Sequence, residues 1–484
     1  MTQFPDSKLL IDGELRPAAQ GATYPNISPW TEEPIGRAGD ASLADVDQAI
    51  AAARRAFDQT EWSTDHVARM ASLERFAEVM RANRDRFASI ILNEVGAPRG
   101  FHFIHVDNPL AMMEATLKIA REYPRDQDIG VAQMFGASSR RFVWREPVGV
   151  VAAITPWNVP LQINLAKILP ALAAGCTVVL KAAPDTPFNA ALMGELAVEA
   201  GLPRGVFNVI TGSSQAEVGE ALVNDPRIDM VTFTGSTAVG KKIMANASER
   251  LARVFLELGG KSAAIVLDDA DFPAAVGAGA GVVGNAGQGC ASLTRLLVPR
   301  ARQDEAAAIL KTVFEKVPYG DPDAMQMMGP LISARQRERV LSYIEIGKQE
   351  GARLLTGGGK PAKFDRGYFV EPTVFTHVDN SMRIAQEEIF GPVLVVIPFE
   401  DDDDAVRIAN DSVYGLSGSV RSNSMERALK VARRVRTGTF GVNGASWFAG
   451  DSPFGGYKQS GIGREMGVQG FEEYLETKTV AVPA

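Results

Sequence analysis

Apolar residues recur at helical spacing from about Thr64 to Tyr123. Closer to the start, "LLIDGEL" places Asp12-Gly13, a tight-turn pair, between apolar residues and predicts a hairpin. Ser42, with Asp45 three residues on, predicts a helix opening on a capping box. The stretch "SSRRFVWREP" alternates and ends at Pro147, so it reads as a strand with one polar face and, like the C-terminal "LETKTVAVP", as an exposed edge if the chain is alone. From Val148 the rhythm changes. Short apolar runs, "VGVVAAIT", "CTVVLK", "FNVITG", "MVTFTG" and "SAAIVLD", are separated by helix-like pieces of roughly 12 to 20 residues. Strands that are apolar throughout belong to a parallel sheet covered on both faces. The same rhythm resumes beyond Cys290 with "TRLLVPR", "PVLVVIPF" and "LSGSVRS". The prediction is α/β: two tandem parallel-sheet domains and a β-ribbon, with no internal repeat.

Length and charge sharpen this only a little. A chain of 484 residues exceeds the size at which one core stops growing, about 250–300 residues. A net charge of −8 and the lack of a basic patch speak against a nucleic-acid partner. "MTQFPDSKLLIDGELRP" lacks the charged and apolar regions of a secretory signal. "PAAVGAGAGVVG" is too short and glycine-rich to span a bilayer, so no membrane association is expected. Two cysteines make no disulfide scaffold, and a cytoplasmic location is expected. The acidic run Glu400–Asp404 is expected to cap a helix starting near Ala405, not to bind metal.

Several motifs invite chemistry. "GAGVVG" (Gly279–Gly284) matches the dinucleotide glycine pattern but does not directly follow a strand, so it reads as a coincidence within a small-residue helix. "GSTAVGKK" (Gly235–Lys242) follows a strand and opens a helix, the context in which free N–H groups hold a phosphate. Lys242 occupies the place where a triphosphatase loop needs a hydroxyl for magnesium, which disfavours that enzyme class. On the motif alone, a phosphate contact through Gly235 and Ser236 and a plain strand–turn–helix joint stay equally open. His102 and His105 lack the partners of a metal site and are expected to form a pair on a helix surface; no metal is expected.

Cys290 closes "GNAGQGC", a run with small flanks and free amides, whereas Cys176 starts an apolar run and reads as structural. Glu257 ends an apolar strand in "FLELGGKS"; buried there, it must either find a partner or have its pKa raised and serve as a base. Asn158, in the turn "ITPWNVPLQ", offers an amide to an oxyanion. Together the three describe acyl chemistry on a carbonyl.

The combination resembles the aldehyde dehydrogenase superfamily from about residue 8 to 480. "FLELGGKS" and "GQGC" match its two signature segments, and "TPWNVP", "FTGS", "GYFVEPTV", "EEIFGPV" and "PFGGYKQSGIGRE" match further motifs in the family's order. The resemblance implies an NAD-dependent oxidation of an aldehyde to an acid. Cys290 would be the nucleophile, Asn158 the oxyanion donor, Glu257 the water-activating base, and Lys167 with Glu465 a proton relay. Ile154, Trp157, Lys181, Gly235, Ser236, Leu258, Glu388 and Phe390 would contact the cofactor. It further implies a cofactor domain of residues 1–124 and 148–258 and a catalytic domain of residues 259–460. Residues 125–147 and 461–484 would join subunits into a homodimer or homotetramer.

The chain departs from the family in three places. Pro184 stands in "KAAPD" where a glutamate commonly grips the adenosine ribose, which leaves NADP open. Val159, Ala166 and Gly284 are small where the substrate tunnel often carries rings. Gly289 and Ala291 flank the nucleophile. The implied tunnel is wide and apolar, walled by Trp447, Phe448 and Phe454, and suits a bulky aldehyde. The rival readings are a coenzyme A-acylating enzyme, which a water-activating Glu257 would disfavour, and a non-catalytic member of the fold.

Overall fold

The computed structural model describes residues 3–484. Five parallel strands form the centre of the first sheet, in the order Arg253–Glu257, Met230–Thr234, Val150–Ile154, Thr177–Lys181, Phe207–Ile210. Alternation explains why their sequences are apolar throughout: Val151, Ala153, Val178 and Leu180 enter one core, and Val150, Ala152, Ile154 and Val179 the other. The hairpin Leu9–Arg16 adds to the far edge, with Asp12 and Gly13 both at positive φ (54° and 74°) as a two-residue turn demands. Ser42 caps the helix Leu43–Gln59 in a full capping box with Asp45.

A second sheet, also mainly parallel, runs in the order Arg353–Thr356, Thr373–Thr376, Val393–Phe399, Arg295–Pro299, Ala263–Val266, Gly418–Arg421, Gly441–Val442. It has its own core. The acidic run does open a helix, Asp402–Asn410, capped by Asp401 and so begun three residues earlier than expected.

The ribbon requires a correction. Ala137–Pro147 is not an exposed edge: it is the middle of a three-stranded sheet, paired with Asp126–Met134 on one side and Leu475–Pro483 on the other. Its two flanking strands carry the free edges. Gly461–Ile462, expected to belong with the ribbon, instead pairs antiparallel with Leu256–Glu257 at the edge of the first sheet. No helix among the described residues is long and apolar enough to cross a membrane.

Candidate active site

Strand order reverses in the first sheet on either side of Val150–Ile154, and ligands of open α/β sheets bind at such points, at the strands' carboxyl ends. A cleft of about 640 Å³ lies there. Ile154, Trp157, Lys181, Gly235 and Ser236 all line it, and so do Thr234 and Lys242 from the same strand–turn–helix stretch and Arg335, which no motif singled out. Ser236 caps the helix Thr237–Ser248, so that helix presents its N-terminus to the cleft.

The cleft's polar groups are ready for a ligand. Buried Lys181 makes one bond, 3.3 Å to the neighbouring Ala182 carbonyl, and desolvation lowers its pKa to about 8. The hydroxyls of Thr155 and Thr234 are buried without a partner. A dinucleotide fits this donor set: cations and a helix N-terminus for phosphates, a lysine for a ribose hydroxyl. The Leu258 side chain packs over Gly240, in one cluster with Ile154, Phe233 and Ile243 of the cleft. Phe390 reaches the cleft's rim, its ring at 5.4 Å and near-perpendicular to Trp157, with a left-handed φ of 61° that only firm packing sustains in a non-glycine residue.

The chain leaves the first sheet at Glu257 and enters the second at Ala263, so "GGKS" spans the gap between them. Its glycines admit close neighbours. A β-carbon on Gly259 would lie 2.5 Å from Glu388 Oε2, and one on Gly260 would lie 2.4 Å from the Cys290 carbonyl oxygen. The Gly260 N–H also donates to Glu388 Oε1 at 3.0 Å. Burial raises Glu388 to about 6.

Cys290 sits half-buried in this junction. Its thiol is not pre-activated: burial first, then the Glu388, Glu257 and Glu465 carboxylates, push it up to about 12, against a single favourable N–H from Ala291. Asn158 is buried and donates through Nδ2 to the Gln288 carbonyl at 3.0 Å; an amide nitrogen carries two hydrogens, so one is left for a ligand. Glu257 finds no hydrogen-bond partner. Both oxygens are buried and unpartnered, and desolvation together with Glu465 holds the group well above the carboxylate range, while Lys167 opposes this. Lys167 Nζ in turn donates to Glu465 Oε1 at 2.7 Å and to Thr232 Oγ1 at 3.1 Å.

On the implied substrate side, Trp447 stacks on Phe454 (5.5 Å, 14°) and meets Phe448 edge-on at 5.8 Å. Val159 and Ala166 are half-buried. The room beside Gly284 is taken: a β-carbon there would lie 3.1 Å from Phe101 Cε1. This narrows the wide tunnel expected from the small residue, and no local pattern points to a residue 183 positions away. His102 and His105 also need correcting. Both are buried rather than on a helix surface, because His102, His105 and Val106 form the inward face of a segment whose Phe103 and Ile104 stay exposed.

The model of the aldehyde dehydrogenase family matches residues 16–480. The chain belongs to the aldehyde dehydrogenase family. It is 42% identical to a putative aldehyde dehydrogenase, DhaS, of Bacillus subtilis (strain 168), over 98% of this chain and 95% of the relative. It is 43% identical to a 3-succinoylsemialdehyde-pyridine dehydrogenase of Pseudomonas sp, over 97% of each. Among solved structures, an aldehyde dehydrogenase of Mycobacterium tuberculosis complexed with NAD+ superposes with a TM-score of 0.94 at 44% identity, covering 100% of this chain and 99% of that one. A mutant of aldehyde dehydrogenase C from Pseudomonas syringae, complexed with NAD+ and octanal, gives 0.92 at 41% identity, covering 98% and 96%. Within this family the residues gathered between the two sheets are the candidate machinery, and the cleft beside Lys181 is the candidate cofactor site.

Proposed function

We propose that this chain oxidises an apolar aldehyde to its carboxylic acid with NAD+, through a thioester on Cys290. Supporting this is Glu257, a buried carboxylate without a partner at either oxygen, near enough to Cys290 to raise its thiol. The Cys290 thiol gives up its proton to solvent, the thiolate Sγ adds to the carbonyl carbon, and the oxygen's new charge is held by the free Asn158 N–H and the Cys290 amide. NAD+, when bound, supplies the acceptor for the hydride that the tetrahedral carbon expels. Ile154, Trp157, Lys181, Gly235 and Ser236 would hold it, with Glu388 and Phe390 at its reactive end. Glu257 then takes a proton from the water that cleaves the thioester, a task suited to a carboxylate whose pKa burial has raised. Lys167 and Glu465 pass that proton outward.

The NAD+ complexes of two relatives and the octanal bound to one of them favour this cofactor and an apolar substrate. Pro184 keeps NADP+ to be tested beside it. Two free ribbon edges favour a homodimer or homotetramer. Two unpaired cysteines suit the cytoplasm.

The test is absorbance at 340 nm with hexanal and benzaldehyde, with NAD+ or NADP+, with and without coenzyme A. Reduction of cofactor without coenzyme A is expected. Strict dependence on coenzyme A, or activity retained by Cys290→Ala, would overturn the proposal.

A further inference from the structure

Three consecutive residues before the nucleophile, Asn285, Ala286 and Gly287, adopt left-handed φ values of 49°, 52° and 72°. Glycine takes this conformation freely and asparagine tolerates it, but alanine does so only when its surroundings insist. Asn285 supplies the insistence. Its Nδ2 donates to the Asn158 main-chain carbonyl at 2.9 Å and to the Gln288 carbonyl at 3.3 Å. The Asn285 carbonyl accepts from Gln288 N at 3.0 Å and Gln288 Nε2 at 3.2 Å. Gln288 Oε1 is anchored by Ile332 N at 2.9 Å. One side chain therefore ties the turn that carries Asn158, at the end of the first sheet, to the loop that carries Cys290.

Behind Asn285 lies His105, fully buried, with no well-formed hydrogen bond at either ring nitrogen. Its imidazole faces the Asn285 side chain, and burial lowers its pKa to about 4, so it is neutral and offers one N–H. An N–H directed at Oδ1 would decide which way the Asn285 amide points, since the flipped amide would turn its own N–H groups to the imidazole and its oxygen to two carbonyls.

We propose that Asn285 is a positioning residue: it fixes the Asn158 turn against the nucleophile loop, and His105 fixes the orientation of the Asn285 amide. This rests on the reading of Cys290 as nucleophile and Asn158 as oxyanion donor. That reading is tested separately by Cys290→Ala and Asn158→Ala.

Asn285→Gly removes the amide while keeping a residue at ease with positive φ, so it separates the clamp from the backbone strain. The measured quantities are the single-turnover burst of NADH with hexanal, the dissociation constant of NAD+, and the rate at which iodoacetamide alkylates Cys290. A misplacement of about 1 Å costs on the order of 100-fold, and the burst rate should fall by roughly 10- to 100-fold. Alkylation, which needs no oxyanion donor, and NAD+ binding should stay within about threefold. His105→Leu should reproduce part of the loss, and His105→Asn, which restores an N–H donor, should recover it. An unchanged burst in Asn285→Gly would overturn the proposal. So would a parallel fall of burst, alkylation and NAD+ binding, which marks a purely structural residue. If Asn285→Gly does not fold, the His105 pair decides: equal burst rates in His105→Leu and wild type overturn it.

Discussion

Lys167 Nζ lies 2.7 Å from Glu465 Oε1, and both side chains are shut away from solvent, at 0% and 6% exposure. The pair stands beside Glu257 and acts on it with opposite signs, Glu465 raising its pKa and Lys167 lowering it. A carboxylate held above its ordinary range thus has its setting controlled by an ion pair packed against the first sheet, since Lys167, on the helix Pro160–Ala174, also donates to Thr232 of that sheet and Glu465 follows its edge strand Gly461–Ile462.

Glu465→Gln removes the anion that raises Glu257 and leaves the Lys167 cation, so the Glu257 pKa must fall. A general base works when deprotonated, and its rate climbs as pH passes its pKa. The acid limb of kcat should therefore move to lower pH. Glu257→Gln should abolish that limb and stall after one burst of NADH. Lys167→Met leaves Glu465 buried without a partner, which typically costs about 3–5 kcal/mol, and its melting temperature should drop well below that of Glu465→Gln. An acid limb moving upward in Glu465→Gln would contradict the assignment.

The thiol gives a second pH prediction. With Cys290 pushed up to about 12, thiolate is scarce at neutral pH and grows about tenfold for each unit of pH. Iodoacetamide alkylation of the enzyme alone should rise in this way from pH 7 to about 10 without a plateau. Glu388 is the foremost charge raising the thiol, so Glu388→Gln should lower that pKa and speed alkylation at pH 8 several-fold. A wild-type plateau near pH 8 would sink this reading.

Much of the frame was legible because its signals are local. The apolar runs after Val148, the Asp12-Gly13 turn and the Ser42–Asp45 box each need only a few neighbouring residues, and each appears as read. Glu257 was legible as a costly carboxylate at a strand's end, and it is buried without a partner. The misreadings concern who packs on whom. "SSRRFVWREP" alternates as an edge strand does, but its hairpin partner Asp126–Met134 covers one edge and the distant Leu475–Pro483 covers the other. His102 and His105 show helical spacing, yet which face of that segment turns inward depends on the nucleophile loop far along the chain. Arg335 reaches the cofactor cleft from the start of the helix Ala334–Gln349, and no motif in "SARQRERV" announces it.

The ribbon carries its own prediction. Asp126–Met134 and Leu475–Pro483 each leave one edge unpaired, and Val131, Met134 and Phe135 are exposed along or beside the first. Unpaired strands with apolar side chains invite pairing with another chain. Sedimentation at micromolar concentration should show a dimer or tetramer, and Phe135→Lys with Val131→Lys should weaken it. A stable wild-type monomer would refute the prediction.

The last prediction concerns substrate size. Val159 and Ala166 remain small, but Phe101 stands against Gly284, so the space is reduced on one side only. An apolar aldehyde gains about 25 cal/mol for each Å² it buries, and the stacked Trp447 and Phe454 offer such area. Hexanal and benzaldehyde should therefore exceed acetaldehyde in kcat/KM, by about 10-fold or more for each added methylene that finds a contact. A bicyclic aldehyde should be held back by the Phe101 ring. Phe101→Ala removes that ring from Gly284 and should raise kcat/KM for the bicyclic aldehyde relative to hexanal by about 10-fold, the scale of one or two methylenes in such a pocket. Gly284→Ala should act in the opposite sense, because its β-carbon would push Phe101 further into the tunnel. If Phe101→Ala leaves the ratio unchanged, the ring does not border the substrate; if acetaldehyde matches hexanal in the wild type, the apolar tunnel itself is refuted.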